Sequence, residues 1–274
     1  MAEIIIKDNL FHLRNDDVSY IIDILEGGIP AHLYFGKRLE GFNPAAVLRR
    51  YELNTEGKWS PHNSALDHTP HEYPSHGLGD LREGALSVRQ KDGTRSVDLR
   101  YAGYEMVEGK PGIPGLPATF GDNAKTLLLH LKDELIGLEA TLSYTLFDDV
   151  AGVMRHVELH NASDSDLYIE RAYSLSLDLP DSNYDLITLS GKWAREREMF
   201  RRPLVMGEQG VSSLRGATSL FTSNMLFLAR PEATEAQGEV IGAALVYSGN
   251  FTASVHVDAN RCSRVFLGLN GVDF

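Results

Sequence analysis

Four arginines, Arg195, Arg197, Arg201 and Arg202, fall within eight residues. Glu196 and Glu198 interleave with them, and Trp193, one of only two tryptophans, leads the run at a Gly191-Lys192 turn. Guanidinium forks bind carboxylates bidentately and stack on aromatic faces, so this stretch is equipped to grip an acidic or aromatic surface. The same residues could also form a solvated strand or loop whose charges pair with one another, an arrangement worth little energy.

Histidines form the second concentration. His62, His68, His71 and His76 lie within fifteen residues, beside Asp67 and Glu72. Imidazole and carboxylate suit zinc and similar metals. Their spacing matches no compact metal motif, and no HExxH or cysteine pair accompanies them, so a polar loop is expected here, with no metal and no cofactor.

Glycoside hydrolysis requires two carboxyl groups facing each other across a sugar, one with a raised pKa. Among 38 acidic residues such a pair can be drawn anywhere, and no motif singles one out. Asp80 in GLGDLR and Glu196 in WARER are the most distinctive. Each is expected to partner an arginine (Arg82 for the first, Arg195 or Arg197 for the second) rather than to act as acid or base. No GxSxG elbow marks a serine hydrolase, and Gly109-Lys110-Pro111-Gly112 lacks the strand–loop–helix setting of a phosphate site. Trp59, Trp193 and Tyr184 could stack on sugar rings, though Tyr184 could as readily fill a core.

The elements that must position these residues are strands. Val18, Tyr20, Ile22 and Ile24 share one face at a spacing of two, and Gly27-Gly28 turns the chain toward Ala31, Leu33 and Phe35. The period of two continues through Leu127–Leu131, Leu138–Leu146, Val153-Arg155-Val157-Leu159 and Leu167–Leu177, and again through Phe251–Val257 and Val265–Leu269. Lys91-Asp92-Gly93, Asn161-Ala162-Ser163 and Ser248-Gly249-Asn250 separate the runs with turn chemistry. One short helix is expected over 44–52, started by Pro44. Strands joined by short turns with almost no helix between them imply antiparallel, all-β packing in two large face-to-face sheets. Without a repeat, low-complexity tract or linker, residues 1–274 are expected to form one domain. Two irregular stretches, 55–84 and the Pro/Gly-rich 108–119, are the loops on which binding would sit.

A net charge of −12 and a pI near 5.3 argue against nucleic acid and anionic membranes. The solitary Cys262 cannot form an internal disulfide. The N-terminus lacks the layout of a signal peptide, and no apolar run is long enough to span a membrane. Asn161-Ala-Ser and Asn250-Phe-Thr then match a glycosylation sequon by chance, and a cytoplasmic protein is expected.

An ordered set of motifs runs through the whole chain: FHLR (11–14), GGIPAHLYFGKRL (27–39), EYPSHGLGDLREGAL (72–86), GKPGIPGLPAT (109–119) and LIGLEATLSYTLFDD (135–149). It continues with NASDSDLYIERAYSLSLDLPDSNYDLITLSGKWARERE (161–198), RRPLVMGEQGVSSLRGATS (201–219) and GEVIGAALVYSGNFTASVHVD (238–258). This set resembles the N-terminal domain of bacterial α-galactosidases of glycoside hydrolase family 36. The resemblance implies a β-supersandwich of two large antiparallel sheets, galactose-mutarotase-like and with few short helices. In that family the sandwich precedes a (β/α)₈ barrel and a C-terminal β domain. The barrel carries two catalytic aspartates, a nucleophile and an acid/base, for retaining cleavage of terminal α-galactosides of the raffinose and melibiose type. This sequence stops at Phe274, before any such barrel, so no catalytic residue is assigned.

The implied role is to brace the barrel and to supply contacts within a homo-oligomer and at the active-site rim. Trp193, Arg195, Glu196, Arg197, Arg201, Arg202, Asp80 and Arg82 are the candidate contact residues. Gly79-Asp80-Leu81-Arg82 departs from the family's Gly-Asp-Phe-Arg, and Ala217-Thr218-Ser219 from its Ser-Ser-His run, so sugar contacts do not transfer at these positions. The alternatives are a free-standing carbohydrate-binding or mutarotase-like sandwich and a metal-dependent module built on the histidines. A sandwich lacking its barrel would also expose apolar surface and self-associate.

Overall fold

A computed structural model describes residues 1–43, 47, 66, 68–218 and 221–271. The helix expected over 44–52 falls outside them but for Val47, and so do Trp59, His62 and Asp67. The described residues hold seventeen strands in four sheets of four or five strands each. The all-β expectation holds. The two large sheets do not appear as such in the strand pairing, because period-two alternation marks a strand's faces and leaves open which edges join. No helix among the described residues is long and apolar enough to cross a membrane. Contacts divide the chain into two units, Met1–Glu170 and Arg171–Phe274.

The first unit contains two four-stranded antiparallel meanders. One runs β1 (Glu3–Lys7), β2 (Leu10–Arg14), β3 (Val18–Leu25) and β4 (Ile29–Lys37) in that order. After β5 (Leu86–Gln90), the other runs β6 (Arg100–Glu108), β7 (Ala124–Asp133), β8 (Leu138–Phe147) and β9 (Val153–Asn161). The leucines of β7 and β8 are buried as their alternation requires, and Thr126 and Thr145, opposed across the pair, join their hydroxyls at 2.8 Å. Gly137 turns β7 into β8 at φ 67°, where a Cβ would come within 2.9 Å of Ser163. The strand β3 is buried on both faces: Ile21 packs with Ala31 and Leu33, opposite the face that carries Tyr20 and Ile22.

The second unit holds most of β10 (Leu167–Leu179), then β11 (Asp185–Lys192), β12 (Arg195–Pro203), β13 (Gly207–Ser213), β14 (Thr222–Ala229), β15 (Val240–Ala244), β16 (Phe251–Val257) and β17 (Ser263–Leu269). Antiparallel pairing gives β13-β16-β17-β10 in one sheet and β12-β11-β14-β15 in the other. Phe251, Ala253 and Val255 face Leu267 and Val265 in a buried layer. Beside it lies a charged pair that the pattern does not announce. Arg264, 2% exposed, stands opposite Asp178 in the β10–β17 register, its Nε and Nη2 donating to the two carboxylate oxygens at 2.6 and 2.7 Å.

A buried bidentate pair is indifferent to joint replacement by apolar residues but costly to break from one side. Asp178→Asn is therefore expected to lower unfolding free energy in urea by about 3 kcal/mol. A double variant, Asp178→Leu with Arg264→Met, should recover most of that loss.

Candidate functional site

The arginine stretch is a hairpin, β11 and β12 with Trp193-Ala194 at its tip. Its geometry is set locally by backbone crowding. Gly191 opposes a bulge in β12, and a Cβ there would overlap the Arg195 carbonyl oxygen, so only glycine fits. Ala194 and Arg197 take left-handed φ of 63° and 54°, uncommon for side chains with a Cβ. The Glu196 carboxylate accepts a hydrogen bond from the Ala194 N–H at 2.8 Å. It thus holds the turn, and the expectation that it partners Arg195 or Arg197 is not met. The bend at Ala194 aims an amide at the carboxylate two residues on.

The arginines divide into one anchor and three free cations. Arg201 donates through Nε to Asp185 at 2.7 Å and through its two Nη atoms to the carbonyls of Ala233, Arg230 and Pro231 at 2.8–3.0 Å. This pins the base of the hairpin to the following turn. Arg230 in turn grips Asp181 and Glu239 and lies 3.9 Å from the Tyr184 ring centroid. Tyr184 is 4% exposed, and burial pushes its hydroxyl pKa up, so it fills core rather than stacking on sugar. Arg195, Arg197 and Arg202 are exposed and make no ion pair among the described residues. Around them Trp193 is 80% exposed, with Met199, Phe200, Val205 and Met206 also in solvent. Aromatic residues, Met and unpaired Arg together are the composition of a protein interface.

Asp80 and Arg82 lie in the first unit and behave as expected of a pair. Arg82 donates to both Asp80 oxygens at 2.9 Å and to the Thr69 carbonyl at 2.6 Å. His71 stands 3.6 Å from the same carboxylate and 2.7 Å from the Leu66 carbonyl. These contacts fasten the histidine-rich segment to itself. Among the described residues no group of three or more His, Cys, Asp or Glu side chains is placed to hold a metal. The Pro/Gly-rich loop borders a shallow groove of about 480 Å³, lined by Val107–Pro111, Gly121 and Asp122. There the Lys110 amine donates to the Pro111 carbonyl, and partial burial lowers its pKa.

Motif reading missed the most heavily constrained polar group. Glu72 is fully buried. It is carried in by a segment bridged to β4, with backbone bonds from His32 N to Pro70 O and from Glu72 N to Pro30 O. Its Oε1 accepts from Tyr20 and, at 2.9 Å, from Tyr144 and Arg155; its Oε2 lies 3.2 Å from His32 Nδ1. Arg155 also donates to the Tyr20 hydroxyl at 2.7 Å, and its guanidinium lies 4.9 Å from the Tyr144 ring centroid. Burial by itself would raise the Glu72 carboxyl, but Arg155 and the surrounding donors override it and hold it below the usual carboxylate range. A carboxyl so held cannot serve as a general acid near neutrality. The sequence signal lay in Arg155, which occupies an apolar-face position in the Val153–Leu159 alternation.

Glu72→Gln is expected to cost about 3 kcal/mol at pH 7, because Arg155 is left buried without its counterion. With the native pKa depressed, this stabilisation is present above the unfolded value of about 4.3 and lost as pH falls through the native one. Denaturation of wild type and variant from pH 7 to 3 should show the gap closing in acid.

The model of the glycosyl hydrolase family 36 N-terminal domain matches residues 28–274. Alpha-galactosidase AgaA of Geobacillus stearothermophilus is 39% identical over 269 residues, which are 96% of this chain and 37% of that protein. Alpha-galactosidase Mel36A of Lactobacillus acidophilus is 33% identical over 277 residues, 98% of this chain and 37% of that one. Among solved structures, the family 36 alpha-galactosidase AgaB of G. stearothermophilus superposes with a TM-score of 0.91 at 38% identity, covering 98% of this chain and 38% of its own. An AgaA variant crystallised with raffinose gives 0.90 at 39% identity, covering 95% and 37%. The chain thus spans a little over a third of the length of these relatives. It belongs to glycoside hydrolase family 36, whose N-terminal domain it carries.

Proposed function

We propose that this chain is the non-catalytic N-terminal domain of a cytoplasmic α-galactosidase, in which residues 1–274 act as one domain bracing a catalytic barrel. Its part in hydrolysing terminal α-galactosides of the raffinose and melibiose type is indirect. It supplies a rigid wall, and through the Trp193–Arg202 hairpin it supplies contacts to a partner surface within a homo-oligomer. Asp80 and Arg82 hold a loop of that wall.

The observation that carries this reading is the match to the family's N-terminal domain over 28–274, in relatives named as alpha-galactosidases. Two features of the chain support it. Its fully buried carboxylate is committed to Arg155 and held ionised, leaving no proton to give to a leaving group. Its unpaired arginines and exposed Trp193 are on a hairpin rather than around a sugar-sized cavity.

A chimera tests the proposal. Replacing the matching third of G. stearothermophilus AgaA with this chain should restore turnover of an aryl α-galactoside, while the 274-residue chain alone should give none. Turnover by the chain alone would refute a non-catalytic role. A folded chimera no more active than AgaA lacking that third would refute the bracing role. Calorimetric titration of the chain with galactose or raffinose should release no binding heat; specific binding would favour a free-standing carbohydrate-binding sandwich.

A further inference from the structure

The strand β12 closes its sheet on one side only. It pairs with β11, and no strand among the described residues pairs with its other edge. All nine residues, Arg195–Pro203, are exposed. An open edge is a template for another strand, and proteins normally blunt it with charged side chains, with proline or with a bulge. Here a bulge lies near Arg197 and a proline at position 203, but the segment between them carries charges of both signs around an aromatic residue.

The hydrogen-bond phase identifies which backbone groups are on offer. Leu204 N donates to Tyr184 O, so in an antiparallel ladder the even residues Arg202 and Phe200 turn toward β11. Met199 and Arg201 turn their N–H and C=O to the open edge. Pro203, which has no N–H, occupies the next outward position and ends the ladder there.

From this geometry we infer that the open edge of β12 pairs antiparallel with β12 of a second copy of the chain, about a two-fold axis through Phe200. The inference rests on the reading of the hairpin as a docking element and names its occupant. In this register Met199 and Arg201 of the second copy exchange backbone hydrogen bonds, and so do Arg201 and Met199 of the second copy. Phe200 opposes itself in a non-hydrogen-bonded pair, where side chains approach most closely. Glu198 opposes Arg202 of the second copy on the same face, twice by symmetry, so each unpaired Arg202 meets a carboxylate. Arg197, at the bulge, falls opposite Pro203 and meets no like charge.

Moving the axis one residue either way loses these matches. Centred on Met199, the strands would set Arg197 against Arg201; centred on Arg201, Arg201 would face Arg201. Like charges directly opposed are destabilising. The occupant favoured by the charge pattern is therefore the strand itself, consistent with the two-fold, self-complementary interfaces of most homo-oligomers.

Sedimentation of the chain at about 100 µM should reveal dimers, and Glu198→Arg or Arg202→Glu should each raise the dimer dissociation constant about tenfold or more. The double variant E198R/R202E should restore it, because the two positions meet only between copies. In a Cys262→Ser background, Phe200→Cys should form a covalent dimer under mild oxidant, whereas Met206→Cys, also exposed, should not. All four positions are in solvent, so circular dichroism should confirm unchanged folding. A monomer at this concentration, no rescue in the double variant, or equal crosslinking at 200 and 206 would overturn the pairing. If E198R leaves the AgaA chimera active while any of these outcomes holds, the pairing fails and the domain assignment survives.

Discussion

One ionised carboxylate organises the first unit. Glu72 is fully buried, where an isolated charge is unfavourable by several kcal/mol even after relaxation. What makes it tolerable is that donors converge from separate elements: Tyr20 from β3, His32 from β4, Tyr144 from β8 and Arg155 from β9. These strands belong to two different sheets. Sliding any of them by one residue would turn its donor to the opposite face and leave the charge uncompensated. The carboxylate therefore acts as a register pin for strands that hydrophobic burial alone would let slip. The fully buried Ile21 and Ser19, on the other face of β3, show how little apolar alternation distinguishes that strand's two sides.

The second unit applies the same rule with a different pair. Arg264 and Asp178 neutralise each other within their sheet, and Arg201 is spent on Asp185 and three carbonyls at the hairpin base. Arginine suits both tasks because its planar fork satisfies several acceptors at once. Arg195, Arg197 and Arg202 are chemically identical to it yet contribute next to nothing to the fold, since exposed charges in water gain little. Position along the strand separates anchor from free cation: Arg201 has Asp185 and the 230–233 turn within reach, and its neighbours do not.

Much of the fold was legible and part of the site was not. Alternation over Leu127–Leu131, Leu138–Leu146 and Phe251–Val257 announced strands and their buried faces, because burying one face of a sheet imposes a period of two. Asp80 and Arg82 were recognisable as a pair because two residues of separation keep opposite charges on one turn. Glu72 was not legible. Arg155 in an apolar pattern demanded a buried partner, but which of 38 acids answered depended on a non-local bridge from Ala31 to His71. Glu196 misled for a related reason, since a carboxylate near arginines was closer still to an unsatisfied amide in its own turn. The number of sheets was also hidden, for edge pairing depends on how far connections reach rather than on which residues face inward.

These placements separate stability from recognition. In the core, Glu72 and Asp178 are each matched to an arginine inside the protein, which removes them from chemistry with any ligand. On the hairpin, cations and apolar side chains lie unmatched on a strand that its pairing with β11, its bulge opposite Gly191 and the Arg201 clamp hold extended without help from a partner. A strand already held in its bound conformation gives up little entropy on docking, so even a short run of new contacts can produce measurable association. The polar groups buried in the two units thus fix geometry, whereas those on the hairpin remain available to a second surface.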